Sequence, residues 1–381
     1  MMTAKQKVLV IHPALAPYRV DWFNRVAQSC GLVIYFLHGN VPYQNYDQER
    51  LRSRCHFSYR VLDKGFSIGQ RPIRFGLLRL LRRHRPDVVV TSELGQATFV
   101  CLVACWLLGI RRMVWTDDSA EVLSRMGWLR RSLWKVVTGS QATVLVLSDA
   151  AAVAFKRTIG YRGEPISIPL LQDAHELRDA ARRAVLAEPK AKRNPHAATI
   201  LFVGRLVREK RVDRLLDAIA TLREQLPDMR VRIVGEGDER EALQKSANAG
   251  GLGSMVDFLG HLEGDRLLRE YGRADILVLP SEREPWGAVV DEALILGLPV
   301  VCTSDCGVNV LVRHGVNGYI IRGTELGEMC EAILDALRIA RRLPRDALGF
   351  SESLRGERLE DSVDAFISAI SSVPNESPCE R

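Results

Sequence analysis

The sequence runs one rhythm twice, with a charged, proline-bearing stretch between the two runs. In the first half, apolar runs such as KVLVIHP, LVIYFLHG, DVVVTS and ATVLVLS alternate with segments whose apolar residues recur at helical spacing, YRVDWFNRVAQS among them. RFGLLRLLRRHRP predicts a helix that stops at Pro86, FVCLVACWLLGI a buried helix, and DAAAVAFKRT a helix capped by Asp149. The stretch EPKAKRNPHAA has no apolar periodicity and reads as a linker or exposed loop. Beyond it the rhythm restarts with TILFVG and continues through VRIVGEG, MVDFLG, DILVLPS and PVVCTS. Strands that are apolar throughout and separated by helices belong to parallel sheets covered on both faces. The expected fold is α/β, with two Rossmann-like, doubly wound parallel-sheet domains facing a cleft. The expected division is residues 1–187, a linker at 188–198, residues 199–345, and an amphipathic helix with a frayed tail at 346–381.

Composition narrows the class. With 47% hydrophobic and 26% charged residues the chain is that of an ordinary globular protein. It has no run of about 18 apolar residues, and its N-terminus shows no secretory cleavage pattern. The eight cysteines include no zinc-spaced set, which points to free thiols in a reducing cytosol. Charge is unevenly placed. Residues 1–190 hold 28 Lys and Arg against 15 Asp and Glu, a balance of +13, whereas residues 191–381 hold 25 against 31, a balance of −6. A basic first half suits an anionic partner.

In open parallel sheets ligands bind outside the carboxyl ends of strands, so the loops there carry the candidate chemistry. In LFVGRLVREKRVDRLL the strand ends at Val203, Gly204 permits a tight exit, and Arg205 and Lys210 precede a helix. Two cations beside helix N–H groups suit a diphosphate. A solvated basic loop, with Arg208 and Arg211, is the alternative. VRIVGEGDER places Gly235 and Gly237 at a strand end but lacks the rest of a dinucleotide fingerprint, which disfavours nicotinamide binding. In PSEREPWGAVVDEALILGLPVV, Glu284 lies in a loop and a helix opens near Gly287, offering the N–H groups of Gly287, Ala288 and Val289 to an anion. Glu292 follows inside that helix among apolar neighbours. A buried unpaired carboxylate is costly, and a ribose diol would satisfy one there. A surface helix position is the alternative.

These motifs, in this order over residues 199–321, resemble those of retaining glycosyltransferases of the GT-B fold, in the large family 4 that uses nucleotide sugars. The segment GFSESLRGERLEDSVDAF resembles that family's terminal helix, which crosses back to the first domain. The resemblance implies that Arg205 and Lys210 bind the donor diphosphate and that Glu292 holds the ribose hydroxyls. Glu284 would touch the transferred sugar near the reacting carbon. Gly287, Ala288 and Val289 would give N–H groups to phosphate or sugar, and His261 and Leu262 would line the base pocket. It also implies front-face substitution without a metal or other cofactor, the leaving phosphate helping to remove the acceptor proton. The first half matches less closely. HPALAPYRVDWF resembles a subgroup with Pro-Tyr-Arg in its first loop, which makes Arg19 a candidate on the phosphate or acceptor side, with a structural role as the alternative. Many members carry a histidine where MVWTDD has Asp117 and Asp118. Asp117 is the catalytic candidate there, one of the two aspartates facing the acceptor hydroxyl as a base or hydrogen-bond partner; capping of the following helix is the alternative.

The resulting expectation is an enzyme that moves a sugar from a UDP- or GDP-sugar to a glycan or lipid-linked glycan, in cell-surface polysaccharide or glycolipid biosynthesis. An epimerase or phosphorylase on the same fold, or a non-catalytic nucleotide-sugar-binding module, is the alternative. The basic stretches RPIRFGLLRLLRRHRP, IRRMVW and RMGWLRRSLWK suit either an anionic membrane surface or buried helices with solvated rims. A cytoplasmic protein, peripheral on the inner membrane and without nucleic acid as a partner, is the expectation that follows.

Overall fold

The computed structural model describes residues 5–40, 46–68, 71–187, 197–323, 325–346, 348 and 350–372. The chain divides into two compact units, residues 1–171 with 358–381, and residues 172–357. Each is built on one parallel sheet, as the run of apolar strands predicts.

The first unit contains β1 (Lys7–His12), β2 (Gly31–Phe36), β3 (Ser58–Val61), β4 (Gly65–Ile68), β5 (Arg71–Arg74), β6 (Val88–Ser92), β7 (Arg111–Trp115), β8 (Thr143–Val146) and β9 (Ile166–Ser167). Seven of them form a sheet in the order β3-β2-β1-β6-β7-β8-β9, and β4 and β5 pair as a separate antiparallel ribbon. The strand order turns around between β1 and β6, so both the β1 and β6 carboxyl ends open at a switch point. The Pro17–Ser29 helix begins with its proline where a missing N–H is harmless. It buries Trp22, whose ring meets Trp115 and Phe366 edge-on, each at 5.0 Å between centroids. Trp22 Nε1 donates to Ser362 Oγ at 3.0 Å. These contacts fix the C-terminal Leu359–Ser371 helix in the first unit, the crossing that the family resemblance implies.

The second unit contains β10 (Thr199–Val203), β11 (Arg230–Val234), β12 (Val256–Gly260), β13 (Ile276–Leu279), β14 (Val300–Thr303) and β15 (Gly318–Ile321), in the order β12-β11-β10-β13-β14-β15. Its switch point lies between β10 and β13, the two strands that precede the Arg205 and Glu284 loops.

Three local expectations change. The Ala174–Leu186 helix lies in the second unit, so the boundary falls after Leu171 and not at 187. Its Arg178 guanidinium donates to the carbonyls of Ile295 at 2.7 Å and Ser351 at 2.9 Å, which ties the helix to that unit. The expected linker lies outside the described residues except for its last two. FVCLVACWLLGI forms most of the Gln96–Leu108 helix, but only one side is buried. Ala97, Cys101, Ala104 and Cys105 face the sheet, while Val103, Trp106, Leu107 and Leu108 are exposed. The cap of the Asp149–Ile159 helix is Ser148, whose hydroxyl accepts from Ala151 N; Asp149 is the first helical residue. Among the described residues, no helix is long and apolar enough to cross a membrane. Seven cysteines are free thiols, and Cys379 lies outside the described residues.

The aromatic cluster makes the terminal helix part of the first unit's core. Truncating Phe366 to Ala removes a fully buried ring and should cost about 3–5 kcal/mol. Urea unfolding followed by tryptophan fluorescence checks this, since five of the six tryptophans lie in the first unit. A loss below about 1 kcal/mol would show that the helix packs without contributing to that core.

Candidate functional site

In the second unit the loops at the carboxyl edge are stitched to one another through their backbones. Gly204 N donates to Val234 O at 3.0 Å, and Leu206 N to Glu236 O at 2.8 Å. Glu282 N donates to Glu209 O at 2.9 Å, and Gly307 N to Glu284 O at 2.9 Å. Gly235 and Gly237 explain their spacing here. Both take positive φ, and a Cβ would lie 1.8 Å from Gly204 O at the first and 2.3 Å from Leu206 O at the second. The pair lets one loop backbone lie against the next.

This stitching brings Lys210 and Glu284 together across the switch point. Lys210 closes a single 3₁₀ turn, Arg208–Lys210, which ends at Arg211 in a left-handed conformation (φ 50°). Its ammonium donates to Glu284 Oε2, and both side chains are largely buried. The family resemblance assigns these residues to different parts of a donor; in the structure they are partners of each other. Arg205, on the same loop, is exposed and makes no hydrogen bond or ion pair among the described residues. The Ala288–Ile295 helix begins after Gly287 (φ 93°), where a Cβ would press on Val308 Cγ1 at 3.0 Å and Glu284 Cγ at 3.1 Å. The N–H groups of Ala288 and Val289 open that helix and have no intrahelical partner. Lys210 thus meets Glu284 beside the start of this helix, and a cation next to a helix N-terminus suits an anion.

Glu292 is half-buried and held from two sides. Tyr271 Oη donates to its Oε2 at 2.7 Å, and Gln172 Nε2 donates to its Oε1 at 3.2 Å. Burial first, and the Glu292 charge second, push the Tyr271 pKa well up, so this hydroxyl stays a donor. The oily-helix argument applies with greater force to Asp291, which the sequence reading did not single out. Asp291 is fully buried, takes Arg355 Nη1 at 2.9 Å, and accepts from Gln172 N at 3.0 Å. Burial raises its pKa, while Arg355 opposes that rise. His261 and Leu262 follow β12, at the sheet's edge, where His261 Nε2 lies 2.8 Å from Glu263 Oε1.

In the first unit, Arg19 is fully buried beneath the β7 carboxyl end. Burial alone would lower its pKa, but the Asp117 carboxylate paired with it reverses the direction. Its guanidinium also lies 5.6 Å from the Trp115 ring centroid. Two of its nitrogens, Nε and Nη1, have no hydrogen-bond partner among the described residues. Asp117 is thus a counter-ion, whereas Asp118 takes Thr116 Oγ1 at 2.8 Å and Arg130 Nη2 at 2.6 Å. The helix that follows is capped by Ser119, not by either aspartate. Glu93, at the end of β6, takes a left-handed conformation (φ 67°) that few non-glycine residues adopt, a feature no sequence signal announced. Among the described residues no group of three or more His, Cys, Asp or Glu could hold a metal ion.

Residues 187–346 match the family described as glycosyl transferases group 1. The chain is 30% identical over 258 residues to a D-inositol 3-phosphate glycosyltransferase of Corynebacterium urealyticum, covering 63% of this chain and 60% of that one. It is also 30% identical over 285 residues to a glycogen synthase of Mycobacterium tuberculosis, covering 71% and 66%. The chain spans 30% to 60% of the length of the first three curated relatives it matches. Among solved structures it is similar to HepE of Anabaena in complex with UDP, with a TM-score of 0.72 and 19% identity over 97% of this chain and 100% of that one.

The buried Asp291–Arg355 pair generates a prediction. Arg355→Met leaves a buried carboxylate without its cation and should cost about 3–5 kcal/mol at neutral pH. The Asp291 pKa, already raised by burial, then rises further above its unfolded value. Between the two values the folded state binds more protons, so the deficit should shrink as pH falls. Urea midpoints of variant and wild type across the range check the sign; a deficit that grows toward acid would contradict it.

Proposed function

We propose, from a chain whose residues 187–346 belong to the glycosyl transferases group 1 family and whose two parallel-sheet units have the GT-B architecture, that this protein moves a sugar from a UDP- or GDP-sugar to a glycan or lipid-linked glycan. Retention of configuration, membership of family 4 and independence of a metal belong to the same reading, as does a role in cell-surface polysaccharide or glycolipid synthesis on the cytoplasmic side. The observation that carries it is the Lys210–Glu284 pair at the switch point, beside an unpaired Arg205 and the start of the Ala288–Ile295 helix.

In this reading a donor diphosphate recruits Arg205, Lys210 and the N–H groups of Ala288 and Val289. Their charge and dipoles stabilise the leaving group as it departs. Lys210 must turn from Glu284 toward phosphate, which releases a carboxylate beside the anion site for the transferred sugar. Donor binding then both stabilises the leaving group and unmasks Glu284. Glu292, oriented by Tyr271 and Gln172, would accept from the ribose hydroxyls. HepE of Anabaena, crystallised with UDP and with UDP-glucose, supports a uridine donor by its fold. On the acceptor side the reading uses Arg19, held by Asp117.

Thermal shift across UDP- and GDP-sugars tests the donor, since a ligand at a hundredfold its Kd stabilises the folded state by about 2.7 kcal/mol. Glu284→Gln and Arg205→Ala should each abolish transfer; Arg205→Ala should melt near wild type, whereas Glu284→Gln, which leaves the largely buried Lys210 without its counter-ion, should melt lower but still unfold cooperatively. Normal turnover in both removes the site assignment. Release of UDP or GDP only when acceptor is present distinguishes transfer from epimerisation or phosphorolysis, and affinity without turnover identifies a binding module. Tyr271→Phe should weaken donor binding, on the order of tenfold, through the lost hydrogen bond to Glu292. Unchanged donor affinity would show that Glu292 needs no such support.

A further inference from the structure

We propose that the outer face of three neighbouring helices in the first unit docks the protein on an anionic lipid bilayer. The helices are Leu77–His84, Gln96–Leu108 and Trp128–Gly139. The first two pack on each other, and the third joins the middle one through a shared core. Leu77 and Leu81 share a core cluster with Ala97, Cys101, Ala104 and Cys105, while Leu102 shares another with Trp134 and Val137. All three end at the same sheet edge. Arg111 N donates to Asp87 O at 3.3 Å, joining the exits of the first two, and Arg112 Nε donates to Ser140 O at 2.8 Å, bringing in the third.

Two features of this face stand together. The first is apolar exposure. On the middle helix Val103, Trp106 and Leu107 form a stripe at spacings of three and four, and Trp106 is 68% exposed. The third helix adds Trp128, 79% exposed, with Leu129 and Val136. Exposed tryptophan and aliphatic side chains grouped on neighbouring helices mark a place of interaction. The second is charge. The three helices, LLRLLRRH, QATFVCLVACWLL and WLRRSLWKVVTG, contain no aspartate or glutamate. Arg79, Arg82 and Arg83 flank the stripe on one side, and Arg131 and Lys135 on the other. All five are exposed and form no ion pair among the described residues.

A protein partner could match the stripe or the cations. A bilayer carrying anionic lipid matches both at once, because its interface accepts tryptophan rings and aliphatic side chains beneath a layer of negative headgroups. The antiparallel β4–β5 ribbon extends the surface with Phe66 and Ile68. It is tied to the start of the middle helix, where Arg74 N donates to Gln96 Oε1 at 3.1 Å. The inference goes beyond the transfer reaction, and it stands or falls apart from it.

Co-sedimentation of the full chain with phosphatidylglycerol–phosphatidylcholine vesicles tests the proposal. Pure phosphatidylcholine vesicles and high salt serve as comparisons. The protein should pellet with the anionic vesicles at low salt, and binding should weaken with salt. The R79E/R82E/R83E variant should lose on the order of a hundredfold in partitioning. The W106S/L107S variant should lose about tenfold. Every substituted side chain is exposed, and circular dichroism confirms that the variants fold. Nucleotide-sugar binding measured without vesicles stays as in wild type, so failure to dock and failure of the donor assignment are separately visible. Three results would overturn the proposal. One is equal binding to neutral vesicles or none to either, and another is wild-type binding by both variants. The third is a wild-type dimer that W106S/L107S makes monomeric without any vesicle binding, which would give the face to a second copy of the chain.

Discussion

The second unit's loops depend on the ion pair between Lys210 and Glu284. Each group is largely removed from water, and each would be expensive to leave alone. Joined, they tie the loop after β10 to the loop after β13, on either side of the point where strand order turns around. Backbone hydrogen bonds and three glycines make that approach possible. Gly235 and Gly237 admit the first loop, and Gly287 admits Glu284 at the mouth of a helix. A cation and a carboxylate held in this way are preorganised and mutually neutralised. Under the proposed donor reading, a diphosphate would offer Lys210 more negative charge than Glu284 does, and the contact that joins the loops would then set the condition for exposing the carboxylate.

Much of this was legible in residues. Apolar strands separated by helical segments gave two parallel sheets, and the strand-end loops gave Arg205, Lys210, Glu284 and Gly287. Their proximity was not legible, because Lys210 and Glu284 are 74 positions apart and only the strand order makes their loops neighbours. Composition also misled at the Gln96–Leu108 helix. An apolar segment reads as buried, yet small and sulfur-bearing side chains cover the sheet here while Trp106 and Leu107 face outward. The helix has almost no amphipathic contrast to declare which side is inside. The second-unit helix at Ala174–Leu186 was hidden for another reason. The shift from one unit to the other, at Leu171, precedes the charged stretch that looked like the boundary.

Glu292 finds partners within its own unit. A carboxylate inside an oily helix needs partners, and the sequence pointed to a ligand as the partner. Tyr271 and Gln172 already supply two hydrogen bonds, and the more deeply buried acid is its neighbour Asp291, with Arg355. Neither Tyr271 nor Arg355 carries a motif. Their roles arise because the helix before β13 and the segment after residue 350 both reach the Ala288–Ile295 helix within one unit. Gln172 links the two acids, giving its backbone N–H to Asp291 and its side-chain amide to Glu292.

The first unit repeats the logic of the second with different chemistry. Its sheet also turns around once, between β1 and β6, and a buried cation again meets a carboxylate near that point, here Arg19 with Asp117. A guanidinium has five donors in a fixed fork, and one carboxylate cannot satisfy them all. Arg19 Nε and Nη1 remain without a partner among the described residues, in a position where burial makes an unmade hydrogen bond costly. The arrangement therefore leaves the first unit with guanidinium donors that the Asp117 pair does not use, near the end of its sheet.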